Sequence, residues 1–184
     1  MGNLAKRLQS QEFMNEYALV DGVEMSKIYG NQFRIPASVL KQNLQHEYFV
    51  ELRIDSPRFS MHEEDAVECT CPSCNGEMSK PILRHEIPDS LLAQALPKPP
   101  SRGWGEDFWV KIVEREDSHF VGRVDNDLCE TKLHGIKLND EICFHENHVL
   151  AVHGMHRLDI IQHMSVEEIK ALADWIRLNQ AEDQ

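Results

Sequence analysis

Two stretches of the chain alternate apolar and polar side chains with a period of two: Phe49-Val50-Glu51-Leu52-Arg53-Ile54 and Phe108-Trp109-Val110-Lys111-Ile112-Val113-Glu114-Arg115. Successive side chains of a strand point to opposite faces, so this pattern predicts two strands, each with one face turned to a core. Val50, Leu52 and Ile54 mark the inner face of the first. Val110 and Ile112 mark that of the second, with Trp109, Lys111 and Val113 opposite. What lies between them constrains the fold as strongly. Residues 56–103 hold seven of the eight prolines and three of the five cysteines, and Pro97-Lys98-Pro99-Pro100 is a stiff, extended connector. A sheet core broken by an unlike insertion is the expectation.

The flanks supply the remaining elements. Residues 3–18 read as a helix with a thin apolar face of Leu4, Leu8 and Tyr17. Asp21-Gly22 and Gly30-Asn31 are turn signals. Pro36 suits the first position of a short helix over about 37–44, where its missing N–H costs nothing, with Val39, Leu40 and Leu44 facing inward. Within the insertion, Asp89 caps a short helix over 87–96. Glu116-Asp117-Ser118 turns the second strand into a partner at 119–124, a hairpin. Asn139-Asp140 is a tight turn before a strand at 141–144, and 149–152 is another strand. Ser165-Val166-Glu167-Glu168 forms a capping box that opens a helix over 165–178. Val166, Ile169, Leu172, Ala173 and Ile176 follow with helical spacing.

A chain of 184 residues with 41% hydrophobic side chains builds one domain with a packed core. Its 31 acidic and 19 basic residues leave a net charge of −12, which repels phosphate backbones and anionic lipid heads. General nucleic-acid or membrane binding is therefore disfavoured, and a basic protein partner is favoured. No run approaches the roughly 20 apolar residues that cross a bilayer, and the first residues lack a secretory pattern. An odd number of cysteines, three of them within six residues, argues for reduced thiols and a cytoplasmic setting.

Several motifs, in order, carry a resemblance. Ile35-Pro36-Ala37, Leu44 and Phe49-Val50-Glu51-Leu52 are followed by Phe108-Trp109-Val110-Lys111-Ile112 and by Gly122-Arg123-Val124-Asp125-Asn126. Then come Ile136-Lys137-Leu138-Asn139-Asp140-Glu141-Ile142-Cys143-Phe144 and His148-Val149-Leu150. This succession resembles a bacterial family catalogued as domain of unknown function 2314, over residues 33–57 and 104–153. Glu47 and Asn139 stand where that family has glycine, and residues 58–103 have no counterpart in it. The resemblance implies a compact, strand-rich, barrel-like domain and no particular reaction.

The strongest chemical signal is Cys69-Thr70-Cys71-Pro72-Ser73-Cys74-Asn75-Gly76. Two thiolates three residues apart grip one ion because the chain turns between them, and the small residues that follow let N–H groups face sulfur. In an extended segment Cys69 faces the same side as Cys71. Zinc completes its tetrahedron with a fourth ligand. His85 is the first choice and His62 the second, with Cys129, Cys143, a carboxylate or a partner's residue as alternatives. A closed site of this kind is structural, and it explains how an insertion poor in large apolar residues becomes ordered. Free solvent-facing thiols, or a redox pair of Cys71 and Cys74, are the competing readings.

Four histidines gather at His145, His148, His153 and His156. His145-Glu146-Asn147-His148 falls one residue short of H-E-x-x-H, and its neighbours favour strands joined by a turn, so half-buried histidines without a metal outweigh a metal-dependent hydrolase there. Asp125, Asn126 and Asp127 read as a turn, Glu63-Glu64-Asp65 as a solvated charge run, and the tryptophans as core and rim. No serine elbow or phosphate-cradling glycine loop is present.

The sequence therefore predicts an α+β protein. A small antiparallel β core from residues 33–57 and 104–153 carries terminal helices and an inserted zinc-binding lobe at 58–103. The expected function is that of a non-catalytic interaction or regulatory module, with a metal-dependent hydrolase as the alternative.

Overall fold

The computed structural model describes residues 2–30, 33–56 and 104–181. It is an α+β fold in which an antiparallel sheet forms a nearly closed barrel with helices at the chain termini. Its elements are α1 (Asn3–Ser10), β1 (Ala18–Leu19), α2 (Gly22–Tyr29), α3 (Ser38–Gln42), β2 (Phe49–Ser56), β3 (Trp104–Glu116) and β4 (His119–Val124). They continue with α4 (Thr131–His134), β5 (Glu141–His145), β6 (Ala151–Val152), α5 (Gly154–His163) and α6 (Val166–Ala181). The insertion, with the predicted helix at 87–96, lies outside the described residues.

Strands β2, β3, β4 and β5 pair in that order, each antiparallel to the last. From β5 one 3-10 turn, Glu146–His148, carries the chain back to the free edge of β2. There β6 pairs Val152 with Val50 and Ala151 with Glu51. Strand β1 takes the rest of that edge, Leu19 against Ile54 and Ala18 against Asp55. The two margins of the sheet are thus joined by a single turn, which is what nearly closes the barrel. A β-bulge between Ile112 and Glu114 bends the long strand β3 on the way. Gly122 is required opposite it, because a Cβ there would lie 2.7 Å from Val110 Cγ2.

The alternation does what its period predicts. Val50, Leu52, Ile54, Phe108, Val110 and Ile112 are fully buried, and they meet Phe120, Phe144 and Val149 in one core. Asp117 has φ 54° in the two-residue turn between β3 and β4, so the hairpin stands where expected. Glu47 and Asn139 both hold positive φ, 72° and 70°. These are backbone conformations that glycine adopts without strain.

Other expectations need correction. The first helix stops at Ser10 instead of 18, because Gln11 is already extended (φ −76°, ψ 123°); Asn15 and Glu16 then take positive φ and turn the chain, so Tyr17 joins the main core from outside any helix. Asp21-Gly22 is no simple turn: the Asp21 carboxylate accepts the Glu24 N–H and caps α2. Pro36 precedes α3 by two residues instead of occupying its first position. The last strand narrows to two residues, and α5 occupies a stretch where no element was predicted.

Helix α6 begins with the predicted capping box. Ser165 Oγ accepts the Glu168 N–H at 3.2 Å, and the Glu168 carboxylate accepts the Ser165 N–H at 2.8 Å. Its predicted apolar face is only partly buried. Leu172 reaches the core and Trp175 packs beside it, whereas Val166, Ile169 and Ile176 are exposed. No helix among the described residues is long and apolar enough to cross a membrane.

Candidate functional site

The predicted metal ligands Cys69, Cys71, Cys74 and His85, and the alternative His62, all lie outside the described residues. What the structure describes is the place from which their segment departs. Strands β2 and β3 pair without interruption up to Ser56 opposite Trp104, so residues 57–103 leave and rejoin the barrel at neighbouring points of one ladder. Gly105 makes this close approach sterically feasible, because a Cβ there would meet Ile54 O at 2.3 Å.

A buried polar group sits at this root. Asp55 and Ser56 are fully buried, and Ser56 donates its hydroxyl hydrogen bond to Asn15 O at 2.8 Å. Beside them the Glu106 carboxylate accepts the N–H of Cys129 at 2.9 Å and of Glu130 at 2.7 Å, which binds β3 to the start of α4. His134, with 1% of its surface exposed, lies 3.3 Å from Glu106 through Nε2, and its Nδ1 accepts the Ile136 N–H at 3.0 Å. Since Nδ1 accepts, Nε2 carries the hydrogen and donates to the carboxylate.

Burial alone would raise the Glu106 carboxyl. The hydrogen bonds from His134 and from the Glu130 and Cys129 amides outweigh it and hold the group below its ordinary value. Tyr17 packs edge-on against His134 at 5.4 Å. Burial, with the charges of Glu130, Glu106 and Asp55, pushes its phenol far up, so the phenol stays protonated. Both histidine nitrogens are thus committed, and the cluster ties β3 to α4 at the root of the ladder.

The four clustered histidines separate into two pairs. His145 Nδ1 accepts the Asn147 N–H and His148 Nδ1 accepts the His145 N–H, both at 3.1 Å. These bonds pin the 3-10 turn that closes the barrel. Burial, reinforced by His119 at 4.9 Å, holds His145 below the usual histidine value. His153 and His156 sit elsewhere, at the start of α5. His156 stacks on Tyr48 at 4.7 Å, and His153 packs edge-on to Trp109 at 5.7 Å. Among the described residues, no three His, Cys, Asp or Glu side chains gather as metal ligands would. The remaining cysteines are also apart: Cys129 is exposed and Cys143 is buried under α1.

The polar root escaped the sequence reading. Glu106 and His134 are 28 positions apart, and neither falls in a recognisable motif. The one available signal was His134-Gly135, since a glycine with φ 85° ends α4 there.

Fold and site together define a class: a small antiparallel barrel with a buried polar root at the end of the β2–β3 ladder, where residues 57–103 depart. No family model matches the chain, and no curated protein or solved structure does either.

Proposed function

We propose that the protein is a non-catalytic, zinc-containing interaction or regulatory module. The barrel is its scaffold and residues 57–103 are its working part. Cys69, Cys71, Cys74 and His85 hold a structural zinc, and a basic protein partner docks through charge complementarity. The setting is a reducing cytoplasm, where thiols remain available to metal.

The observation that supports this reading is the uninterrupted ladder between β2 and β3, anchored by Glu106 and His134. An excursion that starts and ends at adjacent residues of a paired ladder leaves the pairing of the two strands intact. Three thiols and an imidazole are a donor set that suits zinc. The net charge of −12 suits a basic partner. The hydrolase alternative finds less support, because the two histidine pairs are separate and one of them is spent on backbone hydrogen bonds.

Elemental analysis of the purified full chain tests the proposal. One zinc per chain is expected, with none in Cys71→Ser or Cys74→Ser. Amide exchange of the barrel strands should match between the variants and the parent. A parent chain without metal whose Cys71 and Cys74 cycle to a disulfide would replace the module with a redox protein.

A further inference from the structure

We infer that the cleft between α2, α3 and α6 binds a small organic anion, whose acid group pairs with Lys41 and whose apolar body lies against Phe33 and Trp175. This site is independent of the zinc reading and lies in another part of the fold.

The inference starts from a lysine in an unusual place. Lys41 is only 3% exposed, yet it carries an ammonium group. No carboxylate among the described residues pairs with it, and its ammonium makes no hydrogen bond there. Burial lowers the affinity of its amine for a proton, and the charges of Glu146 and Asp21 restore part of it from a distance. Asp21 is already engaged by the Glu24 N–H and by Asn147 Nδ2, so it is not available as a close partner. The little surface that the lysine keeps opens into a cleft, where a cation largely stripped of water gains from a counter-ion. An anion supplied from outside would meet that need.

The surroundings fit such a ligand. Lys41 lines an open cleft of about 380 Å³ together with Ser26, Ser38, Phe33, Ile35 and Trp175. That volume lies at the lower end of small-molecule sites. The hydroxyls of Ser26 and Ser38 make no hydrogen bond among the described residues, so both can donate to an acid group beside the ammonium. Phe33, Ile35 and Trp175 give the same cleft an apolar wall. Arg34 stands exposed at its rim. A donor set at one side and an aromatic wall at the other select an amphipathic anion over a bare one.

Thermal unfolding of the full chain tests this with benzoate, inorganic phosphate and chloride at matched ionic strength. Benzoate should raise the unfolding temperature beyond the general screening effect of chloride, and beyond phosphate. Lys41→Met keeps the volume of the side chain and removes its charge. It should weaken benzoate binding by about tenfold or more, the usual loss when a charge-assisted bond is deleted. Equal shifts with benzoate and chloride would overturn the proposal, as would a Lys41→Met chain that keeps the benzoate shift. Phosphate acting as strongly as benzoate would overturn the apolar wall's role. If Lys41→Met fails to fold, chemical-shift mapping of the parent decides: benzoate must move the Trp175 indole and Lys41 side-chain signals, and changes confined elsewhere would overturn the site.

Discussion

His134 shows how much one side chain can carry when both its ring nitrogens are engaged inside a barrel. The Ile136 N–H is satisfied by Nδ1, and Glu106 by the opposite nitrogen. Replacing His134 with alanine leaves both partners short and opens a void. The expected loss is about 2–4 kcal/mol, read from urea unfolding. Glu106 adds a dependence on pH. Its folded-state value is lowered, so its contribution is present above the ordinary carboxyl value and disappears as pH falls through the folded one. Glu106→Gln should therefore flatten the acid limb of the stability profile relative to the parent; identical limbs would show that the pairing carries no free energy. Positive-φ positions work in the other direction. Glu47 has φ 72° with a long side chain, whereas Asn139 at 70° is a residue type that tolerates this conformation. Glu47→Gly should raise the unfolding midpoint more than Asn139→Gly, since the ion pair it forfeits with Lys111 is at the surface. A larger gain at Asn139 would contradict that account.

At the level of elements, α1 serves as a cover for a sheet margin. The Gln11 side chain, just past its end, pairs with β5 as a neighbouring strand would: Nε2 donates to Cys143 O at 2.8 Å, and Oε1 accepts the Cys143 N–H at 2.7 Å. At the other end of the helix the Glu116 carboxylate accepts the Leu4 N–H at 2.8 Å, while Leu4 and Leu8 pack on Val121, Cys143 and Val113. An unpaired margin is a site for unwanted strand pairing, so this cover protects the barrel. Gln11→Ala should cost about 1–2 kcal/mol and speed exchange of the Cys143 amide, leaving the amides of β2 unaffected; an unchanged Cys143 amide would refute the cover. None of this was visible in the sequence, where Gln11 is one polar residue among several. Strands β2 to β4 were legible because alternation is local and a barrel interior enforces it. The stripe on α6 misled, because spacing reports a helix but not how much of it meets a partner: Leu172 does, and Ile169 does not. The cleft at Lys41 gave no signal for the same reason: α2, α3 and α6 line it together, and sequence distance conceals that they meet.

For the whole molecule, the decisive question is whether barrel and insertion depend on each other. The ladder from Phe49 opposite Lys111 to Ser56 opposite Trp104 means that a two-residue turn could join β2 directly to β3. Replacing residues 57–103 with Asn-Gly would shorten the loop that folding must close, a change worth about 2–3 kcal/mol in chain entropy. Against this stands whatever the native segment contributes through its own contacts and its metal. If the barrel is the scaffold, the shortened chain folds with the same strand amide protection, binds no zinc, and unfolds at or above the temperature of the chelator-treated parent. The Lys41 cleft should be untouched, because it is built from α2, α3 and α6, so benzoate should shift both chains alike. A shortened chain that fails to fold would mean that the core needs residues 57–103. The insertion would then be part of the domain, and the barrel could not act as a passive carrier for a zinc-binding lobe.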